Sequence, residues 1–200
     1  MKRLFTVLCW VLALAPFASA GVDLTPHYID VFADGVTFRR LYFTDGEKKI
    51  LVSLRPGTEV TPDSGGALFK FAGLPDVTFL AVRSRHSPSD KFEGVSLDRY
   101  RESARRLLPL QGRGAVIHKE EADPFPINNW QSHRFLISFD IGAVHYIQSV
   151  TYLNLNADDQ ITLIVSAPEK DFEEAANRAF QTFRTWQEML PGDTTLTRKL

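Results

Sequence analysis

Residues 148–187 constrain the fold more than any other part of the sequence. Two runs rich in β-branched and aromatic residues, 148–155 and 161–165, predict strands. Residues 156–159, Asn-Ala-Asp-Asp, lie between them, and Asn and Asp favour tight turns because their side chains bond the nearby backbone. A helix is predicted next, at about 168–189. This stretch therefore predicts an antiparallel hairpin followed by a helix.

The predicted helix is amphipathic. Its apolar residues recur at three- and four-residue steps, as one face of an α-helix requires: Phe172, Ala175, Ala176, Ala179, Phe180, Phe183, Trp186 and Leu190. Ser166 is expected to cap the helix, and Pro191-Gly192 to end it. Burying one large aromatic side chain contributes roughly 1.5–3 kcal/mol. Phe180, Phe183 and Trp186 are therefore expected to pack against the sheet.

The beginning of the chain has the features of a secretory signal peptide. Lys2 and Arg3 form a basic start, residues 4–17 form an apolar run, and residues 18–20, Ala-Ser-Ala, fit a cleavage site. The apolar run is shorter than the ~20 residues that span a bilayer. Cleavage after Ala20 is therefore expected, which predicts a periplasmic or secreted protein that does not span the membrane.

The composition of the remaining chain excludes several classes of protein. We expect residues 1–20 to be the signal peptide, residues 21–190 one α/β domain, and residues 191–200 a polar tail. The only cysteine, Cys9, lies in the signal, so disulfides and thiol catalysis are not expected. Without Lys2 and Arg3, the 23 basic residues fall to 21 against 24 acidic ones, a net charge of −3. That balance gives no indication of binding to nucleic acid or to an anionic membrane surface.

Alternating apolar patterns predict further strands upstream of this hairpin. They lie at residues 27–32, 36–43, 49–54, 67–71, 77–83, 115–119, 131–141 and 143–155. A second helix is predicted at 96–108 with Ser96 as its cap. The segments 58–66, 83–94 and 120–130, rich in Pro, Gly and charge, are predicted to be loops. The fold class is therefore α+β, with a central antiparallel sheet flanked by helices.

The sequence contains few patterns that indicate catalysis. No Gly-x-Ser-x-Gly elbow, Walker loop or dinucleotide fingerprint is present, and no cofactor is expected. The five histidines lack zinc-site spacing. His133 and His145 are placed to approach across their hairpin, with Asp140 between them. A metal-dependent or hydrolytic enzyme that uses this His133/Asp140/His145 cluster is the alternative function.

Aromatic residues in the predicted loops are the candidate binding residues. Phe92, Phe125 and Trp130 lie in or beside irregular segments rich in Pro and Gly. Loops carry binding residues more often than strands do. The alternative for Trp130 is that it closes the core.

The order of elements resembles the PsbP/Mog-type family, an α/β/α sandwich around an antiparallel sheet. The resemblance is carried by residues 95–100 at the start of one helix, by strands 150–155 and 160–166, and by the aromatic helix that follows. It implies a binding or assembly role, because the family includes photosystem subunits, a nuclear-transport GTPase cofactor and bacterial envelope proteins. The family supplies no catalytic residue. The signal peptide fits the bacterial envelope group best, so the expected partner is an envelope protein or a small ligand.

Overall fold

The computed structural model describes residues 21–33, 36–124, 128 and 130–189, the side chains of 31–33, 36 and 38 excepted. The predicted signal peptide, Phe125 and the predicted tail lie outside the described residues. In chain order the elements are β1 (Val22–Ala33), β2 (Val36–Asp45), β3 (Lys48–Val52), β4 (Thr58–Asp63), β5 (Gly66–Phe71), β6 (Thr78–Arg85), α1 (Gly94–Arg106), β7 (Arg113–Ala122), β8 (Gln131–Ile141), β9 (Val144–Asn154), β10 (Asp159–Pro168), α2 (Glu169–Arg184) and β11 (Gln187–Glu188).

A seven-stranded antiparallel sheet forms the centre of the described chain. Its strand order is β4-β5-β6-β10-β9-β8-β7. The predicted hairpin is its middle, because β10 pairs with β9 on one side and β6 on the other. Every residue of β10 is buried. This strand is therefore covered on both faces, as its long apolar run requires.

The two faces of the sheet are covered differently. Helix α1 lies over β8 and β9, where a small core includes Ala104, Phe135 and Tyr152. Helix α2 packs on the opposite face, where Phe183 contacts Phe69 and Phe79 edge-on. A second sheet, with the order β1-β2-β3-β11, closes the same larger core. The predicted sheet between helices is confirmed, while the small second sheet was not predicted.

The aromatic side of α2 is interior, as predicted. Phe183 is fully buried, Trp186 is nearly so, and Phe180 is half-buried against the same core. The predicted start of α2, at about residue 168, is right to within one residue, but its predicted cap is wrong. The helix begins at Glu169 with Pro168 as its N-cap, while Ser166 is a strand residue paired with Thr78 and Gln148.

Helix α2 also ends earlier than predicted because its last residues have another partner. After Arg184 the chain leaves the helix, and β11 pairs with Ile50 and Leu51 of β3. Trp186 between them stacks on Phe43, with ring centroids 5.7 Å apart. Tertiary packing and sheet pairing therefore override the helical periodicity at this end.

Two further predictions of local structure are wrong. Helix α1 begins at Gly94 after an extended Glu93 that makes no side-chain cap, so Ser96 is not its N-cap. The predicted loop 58–66 is instead the hairpin of β4 and β5, closed by a turn at Gly65 with φ +74°. Pro62 favoured a loop in the sequence because proline lacks a backbone N–H. Strand β4 lies at the edge of the sheet, where a missing N–H is tolerated.

Within the described ranges, neither helix has the length and apolar character that crossing a bilayer needs.

Candidate ligand-binding groove

A groove of about 330 Å³ runs between α1 and the part of the central sheet that α1 leaves uncovered. The helix packs on β8 and β9 through apolar side chains such as Leu97 and Ala104. On the same face, β6 and β10 carry smaller or polar side chains, among them Ser84 and Thr162. The helix therefore stands off from these two strands, and the space between them is the groove.

Neutral polar groups form a network along the floor of the groove. The Ser84 hydroxyl lies 3.0 Å from Gln160 Oε1 and 3.3 Å from the Thr162 hydroxyl. The Gln160 amide donates to the Tyr100 hydroxyl at 3.0 Å and to Asn154 Oδ1 at 2.7 Å. Since every group in this network is uncharged, the floor offers hydroxyl and amide partners without a formal charge.

Apolar side chains surround this network. Val82 and Ile164 come from β6 and β10, Leu107 lies at the end of α1, and the Tyr152 ring lies beneath the helix. Most residues that line the groove carry polar groups, but its accessible surface is mostly apolar, as ligand sites usually are. The groove therefore suits a group that is partly apolar and able to form hydrogen bonds.

Both tyrosines of the groove remain neutral over a wide pH range. Burial raises the pKa of Tyr152 to about 12, against the opposite effect of a hydrogen bond with Ser103. Burial also raises the pKa of Tyr100, and the hydrogen bond with Gln160 partly offsets this effect. Neither hydroxyl is therefore prepared to act as a base at ordinary pH.

Besides the tyrosines, four ionisable residues line the groove, and three of them, His86, Asp90 and Arg99, have protein partners, while Arg85 is the fourth. Arg99 donates to Asp90 at 3.4 Å, and the Asp90 carboxylate also accepts the Ser87 backbone N–H at 3.2 Å. His86 places Nε2 2.8 Å from the Asn156 carbonyl. Each of these three side chains thus has a protein partner already.

Two of the predicted binding residues, Phe92 and Trp130, are not among the residues that line the groove. The Phe92 ring stacks on His133 at 5.5 Å and contacts Tyr100 at 4.9 Å, and Trp130 packs edge-on against Trp186 at 5.8 Å. Both are partly buried against a core. Phe92 and Trp130 line two separate shallow depressions. Phe125 lies outside the described residues. The binding role of all three stays a prediction.

The predicted His133/Asp140/His145 cluster does not form. His133 pairs with Tyr152, seven residues along β8 from Asp140, which corresponds to roughly 23 Å at about 3.3 Å per residue. Only Asp140 and His145 meet, with Oδ1 and Nδ1 2.6 Å apart on the exposed hairpin. Among the residues that the structure describes, no three His, Cys, Asp or Glu side chains are grouped for a metal ion. The alternative enzyme therefore loses its proposed site.

His133 itself is buried, with both ring nitrogens unpartnered. It lies among Phe92, Phe135 and Tyr152. Burial lowers its pKa, the Glu120 carboxylate opposes this effect, and Arg101 adds to it. The neutral imidazole is therefore a packing residue of the core under α1.

Sequence reasoning missed the groove, although one signal for it is present. Strand β10 is buried throughout, yet Gln160 and Thr162 interrupt its apolar residues at a spacing of two. A polar residue is placed in a buried strand when it has hydrogen-bond partners, because an unpaired buried polar group is costly. Polar residues on one face of a central strand thus indicated a network on that face.

No family model and no curated protein matches the sequence. The fold is that of the PsbP/Mog1-like α+β proteins, so the resemblance seen in the sequence is confirmed as a likeness of structure. LpqN of Mycobacterium tuberculosis, involved in cell envelope biogenesis, aligns with a TM-score of 0.53 and 11% identity over 82% of this chain and 92% of LpqN.

Two further structures give weaker matches. Cyanobacterial PsbP from Synechocystis sp. PCC 6803 has a TM-score of 0.42 and 15% identity, over 92% of this chain and 98% of its own. The Saccharomyces cerevisiae Ran-binding protein Mog1p has a TM-score of 0.37 and 12% identity, over 86% and 99%.

Proposed function

We propose that this protein is an exported, non-enzymatic binding module of the cell envelope. Its site is the groove between α1 and strands β6 and β10, and the group bound there is uncharged and partly apolar. The group belongs to a small ligand or to a side chain of an envelope protein.

The composition of the groove is the observation that carries this proposal. A ligand that enters loses water, and a charged group loses far more than an uncharged one unless it finds a partner. The floor residues Ser84, Gln160 and Thr162 supply hydrogen bonds but no charge. Val82 and Ile164 supply apolar contact beside them. An uncharged group that bears hydroxyl or amide functions therefore fits best.

The state of the ionisable groups supports a binding role over a catalytic one. General acid–base catalysis uses a group whose pKa lies near the working pH. Tyr100 and Tyr152 have pKa values raised above the usual tyrosine value. Asp90 at the rim is engaged by Arg99. Tyr100, Tyr152 and Asp90 thus offer partners for binding rather than a proton donor and acceptor.

Export is supported by the sequence pattern of residues 1–20. The likeness to LpqN, a protein involved in cell envelope biogenesis, agrees with an envelope location. Function does not follow from fold alone, so this agreement is an analogy. Subcellular fractionation of a host that expresses the full chain tests it. Protein found in the cytoplasm with residues 1–20 intact would contradict export.

Site-specific photo-crosslinking in the native host tests the groove. A photoreactive amino acid at Ser103, inside the groove, is expected to trap one recurrent species. The same amino acid at Glu173, exposed on α2, is the matched control. Ser103→Trp fills the groove and is expected to abolish binding of the trapped species, whereas Asn177→Trp on the exposed side of α2 is not. Equal trapping at both positions would contradict the groove as the site.

A further inference from the structure

Both ring nitrogens of His133 lie in the core under α1 without a hydrogen-bond partner among the described residues. The residue is only 6% exposed. A neutral imidazole brings one donor and one acceptor into the core, whereas a protonated ring brings two donors and a charge. Burying an unpaired charge costs far more than burying an unpaired neutral group. The position of His133 therefore suits the neutral ring alone.

The two carboxylates whose charges act on His133 already have partners. Arg101 of α1 donates two hydrogen bonds to Glu120 of β7, at 2.7 and 2.8 Å. The Ser132 N–H donates to the Asp123 carboxylate at 2.9 Å. Arg101 itself opposes a positive charge on the ring. A proton on His133 therefore finds no acceptor within reach in this arrangement.

Phe92 covers the His133 ring from a segment outside the sheet. The two rings stack at 5.5 Å, and Phe92 also lines a shallow depression that is open to solvent. The other aromatic neighbours, Phe135 and Tyr152, are held in the paired strands β8 and β9. Because Phe92 lies between β6 and α1, its displacement breaks no strand pairing. Release of Phe92 is therefore the simplest movement that admits water to His133.

The segment that carries Phe92 also forms the rim of the groove. Residues 86–93 join β6 to α1 and are called the rim loop below. Asp90 of this loop lines the groove and accepts a hydrogen bond from Arg99 at 3.4 Å. Phe92 follows two residues later and contacts Tyr100, whose hydroxyl belongs to the floor network. A displaced Phe92 therefore loosens both the rim and the seat of a floor residue.

Besides Asp90, the rim loop carries three charged or titratable side chains. Lys91 pairs with Glu93 at 3.8 Å, and both are exposed. His86 places its two ring nitrogens 3.1 and 2.8 Å from backbone carbonyls. A protonated His86 thus has acceptors at hand, whereas a protonated His133 has none. Of these two histidines, His133 is the one that conflicts with the closed loop once it is protonated.

We propose that protonation of His133 releases Phe92 and opens the rim loop, so that the groove holds its ligand less tightly at acid pH. Only the last step, the loss of a ligand, rests on the proposed function. Burial lowers the pKa of His133 from 6.5, so the closed loop binds the proton less tightly than an open one. By linkage, proton binding and loop closure oppose each other. The closed loop is therefore favoured above pH 6.5 and loses stability as the pH falls below it.

Fluorine NMR at position 92 tests the opening without any ligand. 4-Fluorophenylalanine replaces Phe92 in the protein, and the difference in its chemical shift between H₂O and D₂O reports contact with solvent. This difference is expected to grow from about pH 8 to about pH 5, the range in which histidines titrate. In His133→Phe it is expected to keep its high-pH value. His133→Met carries the same expectation and replaces the Phe variant if that variant does not fold.

Two controls separate opening of the rim loop from other effects of acid. 4-Fluorophenylalanine at Phe183, fully buried on the other face of the sheet, is expected to stay shielded at both pH values. His145→Asn removes a second titrating histidine, on the exposed β8–β9 hairpin, and is expected to leave the change at position 92 intact.

Crosslinking from Ser103 in an envelope extract tests the consequence for the groove. The photoreactive amino acid is expected to trap its species at least about fivefold less at acid pH, the lower end of usual coupling between sites. In His133→Phe the trapping is expected to be equal at both pH values. No trapping at either pH would contradict the proposed function, while the fluorine measurement still decides whether the rim loop opens.

Four results would overturn the proposal. A fluorine signal at position 92 that is shielded at both pH values would show that Phe92 stays in place. A change that persists in His133→Phe and disappears in His86→Asn would assign the proton to His86. Exposure of position 183 together with position 92 would mean that the whole domain unfolds. Trapping from Ser103 that does not depend on pH, although the rim loop opens, would remove the effect on the groove.

Discussion

Gly21 lies directly against the ion pair between Arg83 and Asp159. A Cβ at Gly21 would be 1.7 Å from Arg83 Nη2 and 2.5 Å from Asp159 Oδ1. Arg83 binds that carboxylate oxygen through Nε at 2.9 Å and Nη2 at 2.6 Å, and the Asp159 side chain is only 6% exposed. A side chain at position 21 requires the ends of the Arg83 and Asp159 side chains to shift.

We therefore expect Gly21→Ala to lower the free energy of unfolding by about 1 kcal/mol or less, the lower end of the range for a perturbed buried polar group, because the atoms it meets are the mobile ends of two side chains. Urea denaturation of the purified protein measures this change. In an Arg83→Ala background the same substitution is expected to cost less, because only the Asp159 carboxylate remains to be displaced. Equal losses in both backgrounds would contradict the steric explanation.

Two histidines have pKa shifts of opposite sign, and these predict opposite pH dependences. The pKa of buried His133 is lowered from 6.5 by desolvation, so its folded form favours the neutral ring. Its contribution to stability is present above pH 6.5 and is lost as the pH falls through the lower folded pKa. The groups that face it are Glu120 and Asp123, which oppose the shift, and Arg101, which adds to it.

Replacing His133 by Phe is expected to flatten the decline in stability below pH 6.5, because the aromatic contacts remain and the titrating ring is removed. Thermal unfolding at a series of pH values measures this effect. His145 is the matched comparison, because its hydrogen bond with Asp140 raises its pKa. That bond stabilises the fold below pH 6.5 and is lost as the pH rises through the folded pKa. If the stability of the His133→Phe variant depended on pH as that of the wild type does, His133 would not be the group responsible for the decline.

At the scale of elements, α2 joins the central sheet to the second sheet. Phe183 is fully buried, lies edge-on to Phe69 and Phe79, and stacks on Trp186. Trp186 in turn stacks on Phe43 of β2. One aromatic cluster therefore connects the helix with both sheets.

Phe183→Ala is expected to lower the free energy of unfolding by about 3–5 kcal/mol, the cost of truncating a fully buried aromatic residue. Phe172→Ala on the same helix is the control, and its cost should be smaller because Phe172 is only partly buried. Chemical denaturation of both variants gives the comparison. Similar losses for the two variants would show that Phe183 is not central to the core.

The elements predicted correctly from the sequence are those whose spacing of apolar residues agrees with the faces that are buried in the fold. Strands β8 and β9 and their turn were predicted almost to the residue. Apolar residues recur at every second position along both strands, as expected where one face of a hairpin is covered. The end of α2 was not, since Gln187 and Glu188 fit a helix equally well and only the edge of β3 makes them a strand. Local pattern cannot reveal a partner that lies more than a hundred residues away in the chain.

The groove shows the same limit. Gln160 lies 76 residues from Ser84 and 60 residues from Tyr100 in the sequence. Their alternating polar character was visible in each element separately. What places them together is the pairing of β6 with β10 and the position of α1 over β9, both of which are long-range features.

At the scale of the whole molecule, β7 is an exposed edge of the central sheet. It is ten residues long, and nearly all of them are exposed. A long free edge invites pairing with another chain, and proteins oppose this with charges and irregular pairing. Here the pairing with β8 shifts register between Arg113 and Val116 and again between Ile117 and Lys119. Lys119 binds Glu121 at 2.7 Å, and Glu121 also binds Arg134.

These features lead to a prediction about assembly. Replacing Lys119 and Glu121 together by Val removes the charges from the edge and raises its β-propensity, so we expect faster aggregation on heating. Light scattering during a thermal ramp measures this rate. Lys70→Val is the control, because Lys70 is exposed on β5, which has a strand on each side. If the Lys70 variant aggregates as fast as the double variant, added surface hydrophobicity explains the effect and the charged edge does not. A difference confined to β7 would show that these side chains keep the sheet from extending between molecules.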